Sequence, residues 1–259
     1  MSETEWRRLE RIVAAQQHEL ERAQAVTAIQ NCMGRYETVH ITPAEIGRSG
    51  ECFALWRADC SVEVSDWGCF FGGEAIDGFW RSMTAPDLRG GIFWHALATP
   101  VIQVAGDGRT AKVTWMSPGF ETMPPLQAGE EAKSFWCWGK YACDFIRHPE
   151  TGAWKIWHMK WFRTIRSDFA KSWYEDSRNT LAGMPGPVPY DHANRQPSVF
   201  HRPYQFDEVP HPFPIDPEPY ATYDGNFRWI YGGAEYEARY GVRHPDYARL
   251  YHVNYPNAV

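Results

Sequence analysis

Residues 133–165 constrain this chain more than any other stretch. Residues 133–147 read as one long strand and 153–165 as another, with Pro149-Glu150-Thr151-Gly152 as the turn between them. Earlier strands fall at 61–65, where Ser-Val-Glu-Val-Ser alternates strictly, at 92–104 with a break at Pro100, and at 110–117 after the hairpin signal Gly106-Asp107-Gly108. A polar loop holding Pro124-Pro125 fills the gap before residue 133. The pattern predicts an antiparallel meander of long, aromatic strands.

Helices precede the meander. Apolar residues recur near helical spacing through Ile12, Val13, Val26, Ile29 and Met33, so residues 3–39 read as a helix. Its first half is rich in Glu, Arg and Gln and faces solvent or a partner, whereas Val26 to Tyr36 must pack on something. Thr42-Pro43-Ala44-Glu45 offers a cap and a first-turn proline for a short helix running to about Trp56. Gly72-Gly73-Glu74-Ala75-Ile76 turns into a third helix ending near Met83. The expected class is α+β. Three N-terminal helices pack in a strongly curved antiparallel sheet, a cone with an open mouth over residues 1–165, with 1–20 as a helical extension.

Residues 166–259 differ, holding 12 of the 19 prolines and 11 of the 13 tyrosines. Periodicity survives only near 167–181, 231–240 and 245–251. Such a segment builds no core of its own easily, yet is too aromatic for a solvated tail. It reads as an extended arm packed on the cone or on a neighbouring subunit.

Composition excludes several function classes. Net charge is −6 without a basic block, which argues against nucleic acid and anionic membranes as partners. No run of 18 apolar residues predicts a membrane span, and the acidic start lacks an apolar signal core, so a cytoplasmic protein is expected. The six cysteines form no Cys-x-x-Cys pair, and none lies at ligand spacing from a histidine, so free thiols and no metal are expected. Tryptophan is the oddity: ten of the 13 fall between residues 56 and 161, either as core or as the walls of a cavity for an aromatic ligand. An open sheet face with exposed aromatics also predicts a homo-oligomer, a dimer or trimer.

The order helix, short helix, strand, helix, curved sheet resembles the SnoaL-like branch of the nuclear transport factor 2-like superfamily. The carrying residues are Arg35-Tyr36, Ala58-Asp59-Cys60-Ser61-Val62-Glu63-Val64, Gly72-Gly73-Glu74-Ala75-Ile76 and Gly152-Ala153-Trp154-Lys155-Ile156-Trp157-His158, and the likeness spans about residues 20–165. The resemblance implies a cone and one of several functions: cofactor-free dehydratase, cyclase, isomerase, hydrolase or non-enzymatic binding module. Phe93-Trp94-His95 is similar in position to the strand histidine of scytalone dehydratases. Their second histidine is matched by Lys140, and their acidic residue has no clear match, although Glu37 and His40 lie nearby. In length, tail and aromatic content the chain is also similar to the SnoaL-like γ-formaldehyde lyases of bacterial lignin-dimer catabolism.

Chemistry is expected around His95, one titratable residue in an apolar, aromatic run. Alternation puts Trp136, Trp138, Lys140 and Ala142 on one face, with Cys137, Tyr141 and Cys143 on the other; Trp154, Ile156, His158 and Lys160 likewise share a face. With Lys140 and His158 on the concave face, the cavity would hold His95, His158 and a lysine whose burial makes it a usable base. The candidate catalytic residues are therefore His95, Lys140, His158 and Tyr36. His40, Trp67, Trp94, Trp115, Trp136, Trp138 and Tyr141 are candidate substrate contacts. No nucleotide loop or nucleophile elbow is present, so the expectation is proton-transfer chemistry on an aromatic small molecule without a cofactor. His95 or His158 would protonate a leaving hydroxyl, and Lys140 or Tyr36 would hold or ionise a phenol or alcohol.

Overall fold

The computed structural model describes residues 1–65, 67–84, 89–124, 131–176, 190–198, 203–225 and 227–241. Helix α1 (Glu3–His40) starts on a capping box between Ser2 and Glu5. Its buried residues, Ala25, Ile29, Cys32, Met33, Tyr36, Glu37 and His40, recur every three or four positions and form one face. The short helix expected up to Trp56 is a 3-10 helix, Ile46–Cys52. Gly47 and Gly50 within it disfavour a regular α-helix. Helix α2 (Gly73–Ser82) matches the expected third helix and buries Ala75, Ile76, Phe79 and Trp80.

Among the described residues nine strands form one curled sheet: β1 (Ser61–Val64), β2 (Cys69–Phe71), β3 (Ile92–His95), β4 (Ala98–Val104), β5 (Thr110–Ser117), β6 (Gly119–Met123), β7 (Lys133–Arg147), β8 (Trp154–Asp168) and β9 (Arg195–Gln196). Their order is β3-β6-β7-β8-β1-β2-β9, and the β4–β5 hairpin pairs with β7 through β5. The sheet is mixed, not wholly antiparallel, because β1 runs parallel to β8. The expected strand 92–104 divides into β3 and β4, and a pairing irregularity between Ala98 and Val101 surrounds Pro100. Strand β6 occupies part of the stretch read as a loop. The periodic stretch at 245–251, and 177–181 of the stretch from 167, lie outside the described residues.

Two irregularities set which side chains of β8 point inward. His158 pairs with Asp144 and Ile156 with Phe145, so Trp157 is an extra residue; Ile165 pairs with Trp138 and Arg163 with Gly139, so Thr164 is another. Each extra residue flips the alternation. Ile156 and Trp157 both join the inner core with Met159 and Trp161, and Arg163 and Arg166 both lie on the inner side.

Residues 203–225 and 227–231 run over the outer face. Phe227, Ile230 and Tyr231 pack with Cys69, Phe71, Ala142 and Phe162, and Phe213 joins them. Tyr204 N–H donates to the carbonyl of the extra residue Thr164 at 2.7 Å. A short helix, α3 (Ala234–Tyr240), follows. None of the described helices is long and apolar enough to cross a membrane.

Candidate active site

The inner faces of α1, α2 and the sheet enclose a cavity at the mouth of the cone. Tyr36 and His40 come from α1, one turn apart; Phe79, Trp80 and Met83 from α2 and its end; His95 from β3, Glu121 from β6, Tyr141 from β7, and Trp161 and Arg163 from β8. Its volume for the centres of water-sized molecules is about 70 Å³.

His95 is its chemical centre. The ring is buried, with 5% exposure. Its Nε2 lies 3.0 Å from Glu121 Oε1, while Arg166 Nε donates to Glu121 Oε2 at 3.2 Å. Burial pushes the Glu121 carboxyl up, but the hydrogen bond from His95 and the Arg166 guanidinium outweigh it and hold the group well below the usual carboxylate range. Glu121 is therefore an anion at neutral pH. The imidazole stacks on Trp161, ring centroids 4.7 Å apart, and lies 5.1 Å from the ring of His40.

Glu37 stands behind this group. His95 N–H donates to its Oε1 at 3.1 Å, and Tyr141 Oη lies 3.4 Å from Oε2. Burial pushes its carboxyl up to about 8, so it holds a proton at neutral pH. Burial also pushes the hydroxyls of Tyr36 and Tyr141 well above their ordinary value, and the two rings meet edge to face, centroids 6.1 Å apart. His40 is driven down to about 3 by burial and by its His95 neighbour, and is neutral. Its Nδ1, like Trp80 Nε1 and Trp161 Nε1, is buried without a hydrogen-bond partner among the described residues. The cavity is thus aromatic-walled, with one anion-paired imidazole, one neutral imidazole, two phenols backed by a protonated carboxyl, and two indole N–H groups.

His95 Nε2, a Glu121 oxygen and Cys137 Sγ also lie within 4.8 Å of one another. A cation there would have to compete with Arg166 for Glu121 and deprotonate a thiol that burial pushes well above its usual range. The trio reads as a hydrogen-bond network.

Of the residues expected from sequence, His95, Tyr36, His40, Trp67 and Tyr141 line this cavity. Lys140 and His158 do not. They lie on the outer face, where Lys140 Nζ donates to Asp216 Oδ1 at 2.7 Å and to the Pro214 carbonyl at 2.9 Å. His158 Nδ1 sits 2.8 Å from Asp144 Oδ2, and Tyr223 and Trp229 donate to the same carboxylate. The physical reason is the extra residue Trp157, which turns His158 and Lys160 outward while Ile156 stays inside. Trp115 is buried in the core against Phe145 and does not line the cavity. Trp94, Trp136 and Trp138 point outward, stacking on Phe120, Phe169 and Trp173.

Glu121, Arg163 and Arg166 were not singled out from sequence. The alternation Phe120-Glu121-Thr122 was a signal for β6, masked by the adjacent Pro124-Pro125. For Arg166 the sequence held none, because its inward placement depends on the extra residue Thr164.

The family model of the SnoaL-like domain matches residues 21–160, more than half of the chain. The chain belongs to the SnoaL-like family. A candidate scytalone dehydratase of Novosphingobium aromaticivorans is 16% identical, over 59% of this chain and 92% of its own, with a TM-score of 0.46. The hexachlorocyclohexane dehydrochlorinase LinA type 3 of Novosphingobium barchaimii is 16% identical, over 60% of this chain and 96% of its own, with a TM-score of 0.44. No curated protein matches. The SnoaL-like segment carries every cavity residue except Trp161 and Arg163, which follow its end directly.

Proposed function

We propose that this SnoaL-like protein is a cofactor-independent lyase that eliminates water from a compact hydroxylated aromatic compound. The observation that carries the reading is the pairing of buried His95 with anionic Glu121 in an aromatic cavity that also holds phenols backed by protonated Glu37.

The tautomer of His95 that donates Nε2–H to Glu121 leaves Nδ1 as the basic nitrogen. Glu121 then stabilises the imidazolium that forms when His95 takes a proton, as the carboxylate of a catalytic triad does. Tyr141 and Tyr36 are the matching acids. A Tyr141 hydroxyl in contact with Glu37 can protonate or hydrogen-bond a leaving benzylic hydroxyl and regain its proton from the carboxyl behind it. Trp80 and Trp161 N–H groups suit a phenol or phenolate oxygen, whose electrons help expel the leaving group. Each general acid or base contributes on the order of a hundred- to ten-thousandfold. With a diarylpropane diol, one ring would occupy the cavity and the other the mouth, and loss of the terminal carbon as formaldehyde would give a stilbene.

The test is a panel of benzylic alcohols, hydroxylated single-ring compounds and 1,2-diarylpropane-1,3-diols, followed by ultraviolet absorbance, formaldehyde release and mass spectrometry. Loss of water, alone or with formaldehyde, supports the reading. Product of unchanged mass points to an isomerase or cyclase, and tight binding without consumption to a ligand-binding module; either result rejects the lyase.

A further inference from the structure

The six cysteines are not equivalent. Cys60, Cys69, Cys137 and Cys143 are fully enclosed, whereas Cys32 and Cys52 retain 9% and 8% exposure. These two also meet. Cys32 projects from the buried face of α1, Cys52 ends the 3-10 helix, and Cys32 Sγ lies 3.6 Å from the Cys52 carbonyl oxygen. The Cys32 thiol thus donates to the main chain of Cys52 itself.

Cys52 lines an open surface groove with Arg35, Arg48 and Lys155. Lys155 donates to the carbonyl of Glu51, the residue beside it, at 2.6 Å. The Cys32 hydrogen bond lowers the Cys52 thiol from its ordinary value, with help from Lys155 and Arg35 and against its burial, while Cys32 itself is raised. Cys52 is thus the readier of the two to ionise, in a partly open groove where Glu51 offsets part of the positive charge, and Cys32 is its protonated neighbour. That is the arrangement of an attacking and a resolving thiol.

We infer that Cys32 and Cys52 form a redox-responsive pair, closed to a disulfide by hydroperoxides and reopened by thiols. The Cys52 thiolate attacks the peroxide O–O bond, giving Cys52 sulfenic acid and releasing hydroxide, or alkoxide from an organic peroxide. The Cys32 thiolate, its proton passed to water, then attacks that sulfur; the S–S bond forms and hydroxide leaves, so that the pair loses two electrons and two protons overall. With Cys32 Sγ already against the Cys52 main chain, closure takes a side-chain rotation and a backbone adjustment to the Cα spacing a disulfide requires. The link would tie the 3-10 helix to α1 one turn before Tyr36 and Glu37. It stands independently of the lyase reading.

Full-length protein treated with hydrogen peroxide, alkylated under denaturing conditions and digested should yield a Cys32–Cys52 cross-linked peptide. Two of the six thiols should be lost, and dithiothreitol should restore both. Cys32→Ser should stop the reaction at a sulfenic acid on Cys52 that dimedone traps, and Cys52→Ser should take up little dimedone. The inference is overturned if all six thiols survive peroxide, if the link forms only after denaturation, or if oxidation falls first on another cysteine.

Discussion

His95 and Gly119 stand opposite each other across the β3–β6 ladder, and the missing side chain at Gly119 is what lets the imidazole lie over β6 toward Glu121. A Cβ at this position would meet the Trp94 carbonyl oxygen at 2.1 Å and His95 Cδ2 at 3.0 Å. The first of these is backbone, so β3 must move. Gly119→Ala should cost about 1–3 kcal/mol, the range for overpacking a filled interior. The lost His95–Glu121 geometry should also lower turnover more than any change in Tm explains. Denaturant melts beside kcat decide it; an alanine variant with normal turnover would remove His95 from the chemistry.

Glu121 has two tasks that one substitution separates. Glu121→Gln keeps the shape but takes the charge out of its buried contact with Arg166, 3% exposed. Breaking a buried pair in this way costs about 3–5 kcal/mol. Turnover should fall by on the order of a hundredfold or more because the imidazolium loses its counter-charge. His95→Gln should lose as much turnover at a smaller stability cost, since Glu121 keeps Arg166. Steady-state kinetics and chemical denaturation of both variants test the split, and equal kcat in Glu121→Gln and wild type rejects the role given to the carboxylate.

Glu37 and His40 should shape the pH dependence in opposite directions. Glu37 moves from 4.5 up to about 8 on folding, so the folded state holds the extra proton and stability falls as pH rises through that window. His40 moves from 6.5 down to about 3, so the unfolded state binds the extra proton and stability falls as pH drops from 6.5 toward 3. The two slopes cancel between pH 4.5 and 6.5, which sets a stability plateau for this pair. Above it the loss is about 1.4 kcal/mol per pH unit until Glu37 ionises. Glu37→Gln should abolish that decline, and should also remove a basic limb near pH 8 from the kcat profile. Parallel wild-type and variant stability curves above pH 6.5 would contradict the assignment.

Much of this fold was legible because its elements carry strong periodicity. Helix α1, strand β5 and strand β7 follow directly from apolar spacing, as does the parity of β7, with Tyr141 and Lys140 on opposite faces. Which face is concave was not legible. A sheet covered on both sides reads as apolar on both sides, and here the segment carrying Phe213, Phe227 and Tyr231 covers the outer one. Within β8, the extra residue Trp157 reverses the alternation near its start, and one unpaired residue leaves no mark in sequence. His95 was legible as a lone imidazole in an apolar run. Its partner Glu121 was not, because pairing across β3 and β6 is a property of register.

Lys140 and His158 bind the outer segment and take no part in the cavity, so their variants should separate stability from catalysis. Lys140→Met breaks the contacts to Asp216 and Pro214, and His158→Gln weakens the buried cluster with Asp144 and Tyr223. Truncating one partner of the fully buried His158–Asp144 pair should cost about 3–5 kcal/mol. Lys140, paired with a carboxylate that is 55% exposed, should cost about 1 kcal/mol or less. Both should keep kcat and KM near wild type at temperatures where the variants are folded. A hundredfold loss of kcat in folded Lys140→Met would return the lysine to the chemistry.

The outward tryptophans predict self-association. Trp94 stacks on Phe120, Trp136 on Phe169 and Trp138 on Trp173, and Phe120 pairs with Trp136 in register, so the three stacks form one band across β3, β6 and β7. Trp94, Phe120, Trp138, Phe169 and Trp173 are each 41–59% exposed. At 150–250 Å² per aromatic side chain, five half-exposed rings amount to roughly 500 Å² of apolar surface. That approaches the largest patch on a typical monomer, about 300–600 Å², and is well over half of the roughly 800 Å² each partner buries in a standard interface. A second copy of the chain is the expected occupant, and it would brace the strands whose inner faces carry His95 and Glu121. Light scattering should give a multiple of 29.9 kDa, and Trp94→Glu with Trp138→Glu should reduce it to one chain. A wild-type protein that runs as a single chain at micromolar concentration leaves the band without this role.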